Sequence, residues 1–338
     1  MRQIVTTTNG GIDVLKIEEH PDPKPSAGDV LISVKAAGLN FADILARQGL
    51  YPDAPKKPCV MGYEVAGVVQ AVGPGGDENL IGKAAVALTR FKGQSELVVV
   101  KASQIFEKPE SLSFEQAAAL PVNYLTAYAL LAVMGSLQPG ESVLIHNAGG
   151  GVGLAALDIA KRLSATTYGT ASPGKHEVLR ERGLDHPIDY RNQDWLAELK
   201  RLTNNRGVEL VIDPIGGGHW KKSYLALRAT GRLGMFGMST ASADGLKGKL
   251  NMLKAAWQTP WFHPFGLLNK NKGVFGLNLG HMWHEPEKVS EWMKVILDGV
   301  GEGWVRPHVD KSFSFSEVGA AHTYMESRKN IGKVILVP

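Results

Sequence analysis

The sequence predicts an α/β protein, in which a Rossmann-type doubly wound parallel sheet is joined to a β-rich domain built from both chain ends. Three observations carry this expectation. A glycine-rich run, Asn147-Ala148-Gly149-Gly150-Gly151-Val152-Gly153, connects the apolar stretch Val143–Ile145 to an Ala/Leu-rich segment ending near Leu163. Apolar runs and helical segments alternate from about 122 to 271, which is the rhythm of βαβ units. On either side of that region, short β-branched runs stand between Pro/Gly turn clusters.

In chain order, residues 1–121 contain the strand-like runs Val30–Val34, Val65–Val72, Ala84–Leu88 and Leu97–Val100. The clusters Pro21–Pro25 and Val72–Gly76 separate some of them. A helix is predicted to begin after Ser113, with Gln116 in the capping-box position. The 122–271 region then yields strand Thr166–Gly169, helix Lys175–Arg182, helix Trp195–Leu202, strand Val208–Asp213, helix Trp220–Arg228 and strand Arg232–Phe236. Residues 272–338 return to strands at Gly273–Leu279 and Lys333–Val337 around a helix at Lys288–Leu297, and are expected to fold back onto the N-terminal domain. The predicted organisation is therefore 1–121 plus 272–338 as one domain and 122–271 as the nucleotide-binding domain.

Composition excludes several classes. Apolar residues make up 44% and charged residues 21% of the 338-residue chain, as in a water-soluble globular protein. A net charge of +4 with scattered basic residues gives no nucleic-acid footprint. Cys59 is the only cysteine, so no internal disulfide or cysteine-rich zinc site can form, and a reducing, cytoplasmic setting is expected. The uncharged stretch Ala117–Leu137 is broken by Pro121 and Asn123, leaving too little for an integral membrane span, and reads as a buried helix.

The glycine run is the first chemical signal. Strand, glycine turn and helix in immediate succession make an anion site, because the first helical amides lack intrahelical partners and the dipole favours phosphate. A P-loop does not fit, since no Lys-Ser/Thr closes the motif. The end of the next strand selects the cofactor. NAD-binding folds carry an acid there, about 20 residues past the glycines, for the ribose hydroxyls. Here Tyr168-Gly-Thr170-Ala-Ser172-Pro-Gly-Lys175 has none. Thr170, Ser172 and Lys175, with Tyr190 from the following loop, are candidates to hold a 2′-phosphate, which favours NADP(H).

The words Asn40-Phe-Ala-Asp43-Ile-Leu-Ala-Arg-Gln-Gly-Leu-Tyr51, Gly62-Tyr63-Glu64, Val122-Asn123-Tyr-Leu-Thr126-Ala-Tyr128, His186-Pro-Ile-Asp-Tyr190 and Lys329-Asn330-Ile-Gly-Lys333-Val334 occur in order along one chain. On these words the chain resembles the medium-chain dehydrogenase/reductase superfamily over essentially its whole length. Within it, the pattern is similar to the zinc-free quinone oxidoreductases and to the vesicle amine transport protein homologue subgroup.

The resemblance implies that the β-rich domain is GroES-like and that a homodimer forms. At the positions where zinc alcohol dehydrogenases hold catalytic metal, this chain carries Asn40, Tyr63 and Val122, so no metal is expected. It also implies hydride transfer to a small-molecule quinone or other α,β-unsaturated carbonyl compound. Asn40 would offer an amide near the nicotinamide. Tyr51 would serve either as proton donor or as a rim aromatic, and Asp43 as a loop-orienting group. Asn123 and Thr126 would lie beside the nicotinamide, Phe236 and Gly237 beside its ribose, and the backbone around Phe275 and Leu277 at its carboxamide. Asn330 would reach the phosphates or ribose.

Two rival activities go with that resemblance: an NADPH-binding regulatory or membrane-associated interaction protein, and an enoyl-thioester reductase. The aromatic segment Leu250–Phe265 fits a substrate lid, a dimer contact, a membrane-surface patch, or core packing beneath a loop.

Overall fold

The computed structural model describes all 338 residues. The chain ends build the first domain together. One sheet runs in the order Val309–Ser314, Lys333–Val337, Asp29–Leu39, Glu64–Val72, Ala84–Leu88, Ile105–Glu107, with Leu97–Lys101 also paired to Asp29–Leu39. Val334 lies opposite Leu39 in an antiparallel ladder, so the last strand closes onto the N-terminal domain as expected. Arg2–Thr6, Leu15–Glu19 and Cys59–Val60 form a smaller sheet beside it. Helix α1 (Phe41–Arg47) starts directly at the end of the long central strand. Its start is fixed by Asp43, whose carboxylate accepts the Asn40 backbone N–H at 2.8 Å.

The second domain is a six-stranded parallel sheet: β1 (Ser142–Ile145), β2 (Thr166–Ala171), β3 (His186–Asp189), β4 (Val208–Asp213), β5 (Leu227–Met235) and β6 (Gly273–Gly276). Their order across the sheet is β3-β2-β1-β4-β5-β6, so the winding reverses between β1 and β4. A crevice opens at such a reversal, outside the carboxyl ends of the strands. The helices that border it are α2 (Pro121–Tyr128), α3 (Gly151–Arg162), α4 (His219–Leu225), α5 (Gly245–Gln258) and α7 (Pro286–Gly301), while α6 (Pro264–Lys270) follows α5 outside it.

The Ser113 cap with its Gln116 return bond forms as the sequence requires, at 3.2 and 3.0 Å. The uncharged stretch becomes α2 and a following π-helical turn, with Leu125, Leu130 and Leu131 wholly buried. No helix is long and apolar enough to cross a membrane.

Two expectations need correction. The strand at 273 belongs to the parallel sheet, where it pairs with β5, and α7 buries Val289, Met293 and Ile296 in the core it shares with α2 and α3. The chain therefore returns to the first domain after α7 rather than at 272. Alternating apolar runs looked alike on both sides of that boundary, and only strand pairing distinguishes them. The segment 250–265 is not core packed under a loop. It forms the end of α5 and the start of α6, and Leu250, Leu253, Trp257, Trp261 and Phe265 are exposed, while Phe262 alone of its aromatics packs inward, on Tyr224.

Candidate functional site

A cavity of about 1430 Å³ lies between the two domains and runs along the crevice. That exceeds the ~300–1,000 Å³ typical of sites for one drug-sized ligand and suits a dinucleotide with a second molecule.

At one end, β1 runs into the glycine turn and then into α3, whose cap residue Gly150 is extended. The N–H groups of Gly151, Val152 and Gly153 are the first of the helix and have no partners within it. The glycines are needed for space. A Cβ on Gly149 would lie 2.8 Å from the Lys175 side chain, and one on Gly151 would lie 2.5 Å from the Asn123 amide. A Cβ on Gly153 would lie 2.5 Å from the Ala148 carbonyl. Ala148 itself does not border the cleft, and its N–H is donated to the Thr170 carbonyl at 3.1 Å. Its part is to shape the turn.

Lys175 lies over this turn and donates to the Asn330 carbonyl. Burial lowers its pKa, so its ammonium gains from an anion in the cleft. Ser172 and Tyr190 border the same space. Thr170 does so only in part. Its hydroxyl lies 3.0 Å from His146 Nδ1, accepts the Asn147 N–H at 3.4 Å, and is not free for a phosphate. The Asn330 side chain is likewise engaged, donating to the Gly332 carbonyl at 2.9 Å, while the Gly332 N–H donates to Gly149. The C-terminal loop thus ties the first domain to the glycine turn. Together, the unpaired amides, the absence of a Cβ over them and the half-buried lysine fit a phosphate-bearing dinucleotide.

Sequence reasoning missed the cluster beneath this end. Ser223 donates to Asp213 Oδ2 at 2.6 Å and lies 3.2 Å from His146 Nε2, and His219 Nδ1 is 2.6 Å from the same carboxylate oxygen. Burial pushes the His146 pKa down to about 3, which keeps the ring neutral. His146, Asp213 and His219 could in spacing hold a metal, since their ligand atoms lie within 4.8 Å of one another. The Ser223 hydroxyl stands among them and makes the hydrogen bonds a cation would replace. Nothing in the sequence links these four positions, because β1, β4 and α4 bring them together.

At the other end, Asn40 borders the cleft but is tied on every side. Its Nδ2 donates to Glu64 Oε1 at 3.0 Å and to the Gly38 carbonyl at 3.3 Å, and its Oδ1 accepts from Lys333 Nζ at 2.7 Å. Lys333 is also ion-paired with Glu64, and the other Glu64 oxygen accepts the Val122 N–H at 2.7 Å. The expected free amide donor is therefore absent: both Asn40 amide hydrogens serve this buried lattice. Asp43 accepts from the N–H groups of Asn40 and Gly62, and burial raises its pKa to about 7, in keeping with its expected orienting part.

Tyr51 borders the cleft, with its hydroxyl 3.4 Å from Asn278 Oδ1. Burial, then the Asp53 charge, push its pKa above the usual phenol value. Tyr63 meets it edge-to-face at 6.3 Å between ring centroids. The Tyr63 hydroxyl is buried without a hydrogen-bond partner, an orphan donor beside the cleft that sequence reasoning treated only as a non-ligand for zinc.

Asn123 and Thr126 project from α2, and Phe236 and Gly237 follow β5; all four border the cleft. Leu277 does too, its N–H already donated to Met235. Phe275 does not, since its ring packs against Gly234 in the sheet core.

The first domain matches the family description "Alcohol dehydrogenase GroES-like domain" over residues 26–110, and residues 182–336 match "Zinc-binding dehydrogenase". The "Synaptic vesicle membrane protein VAT-1 homolog" of Rattus norvegicus is 41% identical over 100% of this chain and 84% of its own length. The "Quinone oxidoreductase" of Pseudomonas aeruginosa is 30% identical over 100% of this chain and 99% of its own. The chain belongs to the medium-chain dehydrogenase/reductase superfamily. Within this oxidoreductase superfamily, its fold aligns with the Escherichia coli quinone oxidoreductase solved with NADPH, at a TM-score of 0.88 and 29% identity over 100% of both chains. At the three positions where the resemblance places a zinc enzyme's ligands, the chain carries Asn40, Tyr63 and Val122, none of them a usual zinc ligand.

Proposed function

We propose that the protein is an NADPH-dependent reductase of quinones or other α,β-unsaturated carbonyl compounds that works without a metal. The carrying observation is one cleft that joins a glycine cradle and Lys175, at an acid-free strand end, to Tyr51 beside Asn40, Tyr63 and Val122. The NADPH complex of the E. coli relative supports the cofactor, and the Pseudomonas relative supports the substrate class.

When bound, NADPH supplies a hydride. The first-turn amides of α3 hold its diphosphate, and Lys175 with Ser172 and Tyr190 holds the 2′-phosphate. Asn123, Thr126, Phe236, Gly237 and the Leu277 backbone enclose the other half. Asn40 is a rigid wall locked by Glu64 and Lys333. Tyr51, like any phenol, is protonated at neutral pH, burial raises its pKa further, and it donates to the oxygen on which charge develops.

The test follows NADPH oxidation over a panel of quinones, enones and one enoyl thioester, with light scattering to check the homodimer. Turnover on quinones or enones that drops about tenfold or more in Tyr51→Phe, with NADPH affinity unchanged, supports the reading. Turnover confined to the thioester reassigns the substrate. Tight NADPH binding without turnover on any of them overturns the enzyme.

A further inference from the structure

Helix α5 presents its faces in an unusual way. Gly248, Met252, Ala255 and Thr259 follow one another at helical spacing and turn inward: Gly248 packs against Leu50, Ala255 against Gly217, and Met252 and Thr259 border the cleft. The opposite stripe, Leu246, Leu250, Leu253 and Trp257, has the same spacing and should be polar if it faced only water. Instead it is apolar and exposed, Trp257 at 86%. The surface continues through Trp261, 91% exposed, and through Phe265 and Leu268 of α6. At about 150–250 Å² per aromatic side chain, the three rings alone expose on the order of 400 Å². The leucines take the patch beyond the roughly 300–600 Å² of the largest apolar patch on an ordinary monomer.

Charge identifies the occupant. Residues 245–272 contain Lys247, Lys249, Lys254, Lys270 and Lys272 and no Asp or Glu. On the helical wheel Lys247 and Lys254 flank the apolar stripe on one side and Lys249 on the other, where long stems lie along an interface and the ammonium groups reach outward. A two-fold contact with a second copy would set this lysine set against itself, and the one acid at its edge, Asp244, is already paired with Arg47. An anionic lipid surface meets both features, with the apolar stripe entering the acyl boundary and the lysines at the headgroups.

We propose that α5 and α6 form a docking face for an anionic bilayer, lying in its interface. The same helix walls the cleft, so docking sets that wall against the membrane. Resting on the reductase reading, this further assigns the substrate to membrane-partitioned quinones or enones.

The test is flotation of the full chain, without cofactor or substrate, with phosphatidylcholine vesicles that contain or lack phosphatidylserine. The predicted result is at least tenfold stronger binding to the anionic vesicles, weakened by salt. It should be lost in Trp257→Ala/Trp261→Ala and in Lys247→Glu/Lys249→Glu/Lys254→Glu. These variants should keep wild-type turnover on a water-soluble quinone, a control that separates failure of docking from failure of the reductase reading. Equal binding to both vesicle types, or none, overturns the proposal. So does a wild-type dimer that fails to bind vesicles and becomes a monomer on Trp257→Ala/Trp261→Ala. Vesicle binding together with faster turnover of a bilayer-dissolved quinone than of the same quinone in detergent supports the substrate assignment; equal rates overturn that part.

Discussion

The two ends of the cleft handle their polar groups in opposite ways. At the glycine end, the α3 amides have no internal partners, and Lys175 is held only by one backbone carbonyl. At the other end, Asn40, Glu64, Lys333 and Asp43 are satisfied in a buried lattice, and Tyr51 and Tyr63 meet edge-to-face beside it, the Tyr51 hydroxyl directed at Asn278. The first end is built to receive charge. The second is built to stay rigid while a ligand meets it. The contrast also separates what the two ends contribute: affinity for the cofactor at one, fixed geometry at the other.

The largest expected effect falls on the rigid end. Lys333→Met strands Glu64 and the Asn40 carbonyl in the interior and should cost about 3–5 kcal/mol of stability, read from urea unfolding. A loss below about 1 kcal/mol would mean that the lattice is not a structural unit. At the receiving end, Gly151→Val puts a side chain into the Asn123 amide and over the first-turn N–H groups. NADPH affinity should fall at least about a hundredfold, near 2.7 kcal/mol, with a smaller loss of stability than in Lys333→Met. An equal fall in stability would erase the distinction between the ends.

Smaller effects arise from buried titrating groups. Burial pushes both His146 and His322 from 6.5 to about 3, so below pH 6.5 the unfolded chain takes up protons that the folded chain does not. Stability is therefore lost as pH falls from about 6.5 toward 3. Asp43, raised to about 7, acts in the opposite sense: it takes up a proton in the folded state first, so its penalty is greatest above pH 7 and eases on acidification. His322 has no hydrogen-bond partner at either ring nitrogen. His322→Met should recover on the order of 1–2 kcal/mol at pH 5 relative to wild type, with a smaller difference at pH 7.5. An unchanged pH profile would show that His322 does not carry the acid sensitivity. The smallest expected change is in Tyr63→Phe, which removes an orphan hydroxyl. Stability should stay within about 1 kcal/mol of wild type, whereas a larger loss would reveal a hidden partner.

How much of this was legible in the sequence follows the same division. The glycine turn, its strand and its helix are contiguous, and Trp195–Leu202, Val208–Asp213 and Lys333–Val337 form the elements read from their own periodicity. The acid-free strand end at Ser172 and Lys175 is also local. The buried lattice is not. Lys333 and Glu64 are 269 residues apart, and no local pattern says that the one neutralises the other or that they use up the Asn40 amide. The Ser223–Asp213–His146 cluster is hidden for the same reason. The outer face of α5 lay in between: its aromatic content was visible, but whether it faced core or solvent depended on how the helix packs.

The central claim is that the receiving end is shaped for a 2′-phosphate. The most direct measurement is parallel titration of wild type and Lys175→Ala with NADPH and NADH by fluorescence. The account predicts that wild type binds NADPH at least about tenfold more tightly, roughly 1.4 kcal/mol, and that Lys175→Ala removes most of that preference while leaving NADH affinity nearly unchanged. Equal or tighter binding of NADH by wild type, or a preference that survives in Lys175→Ala, would contradict it.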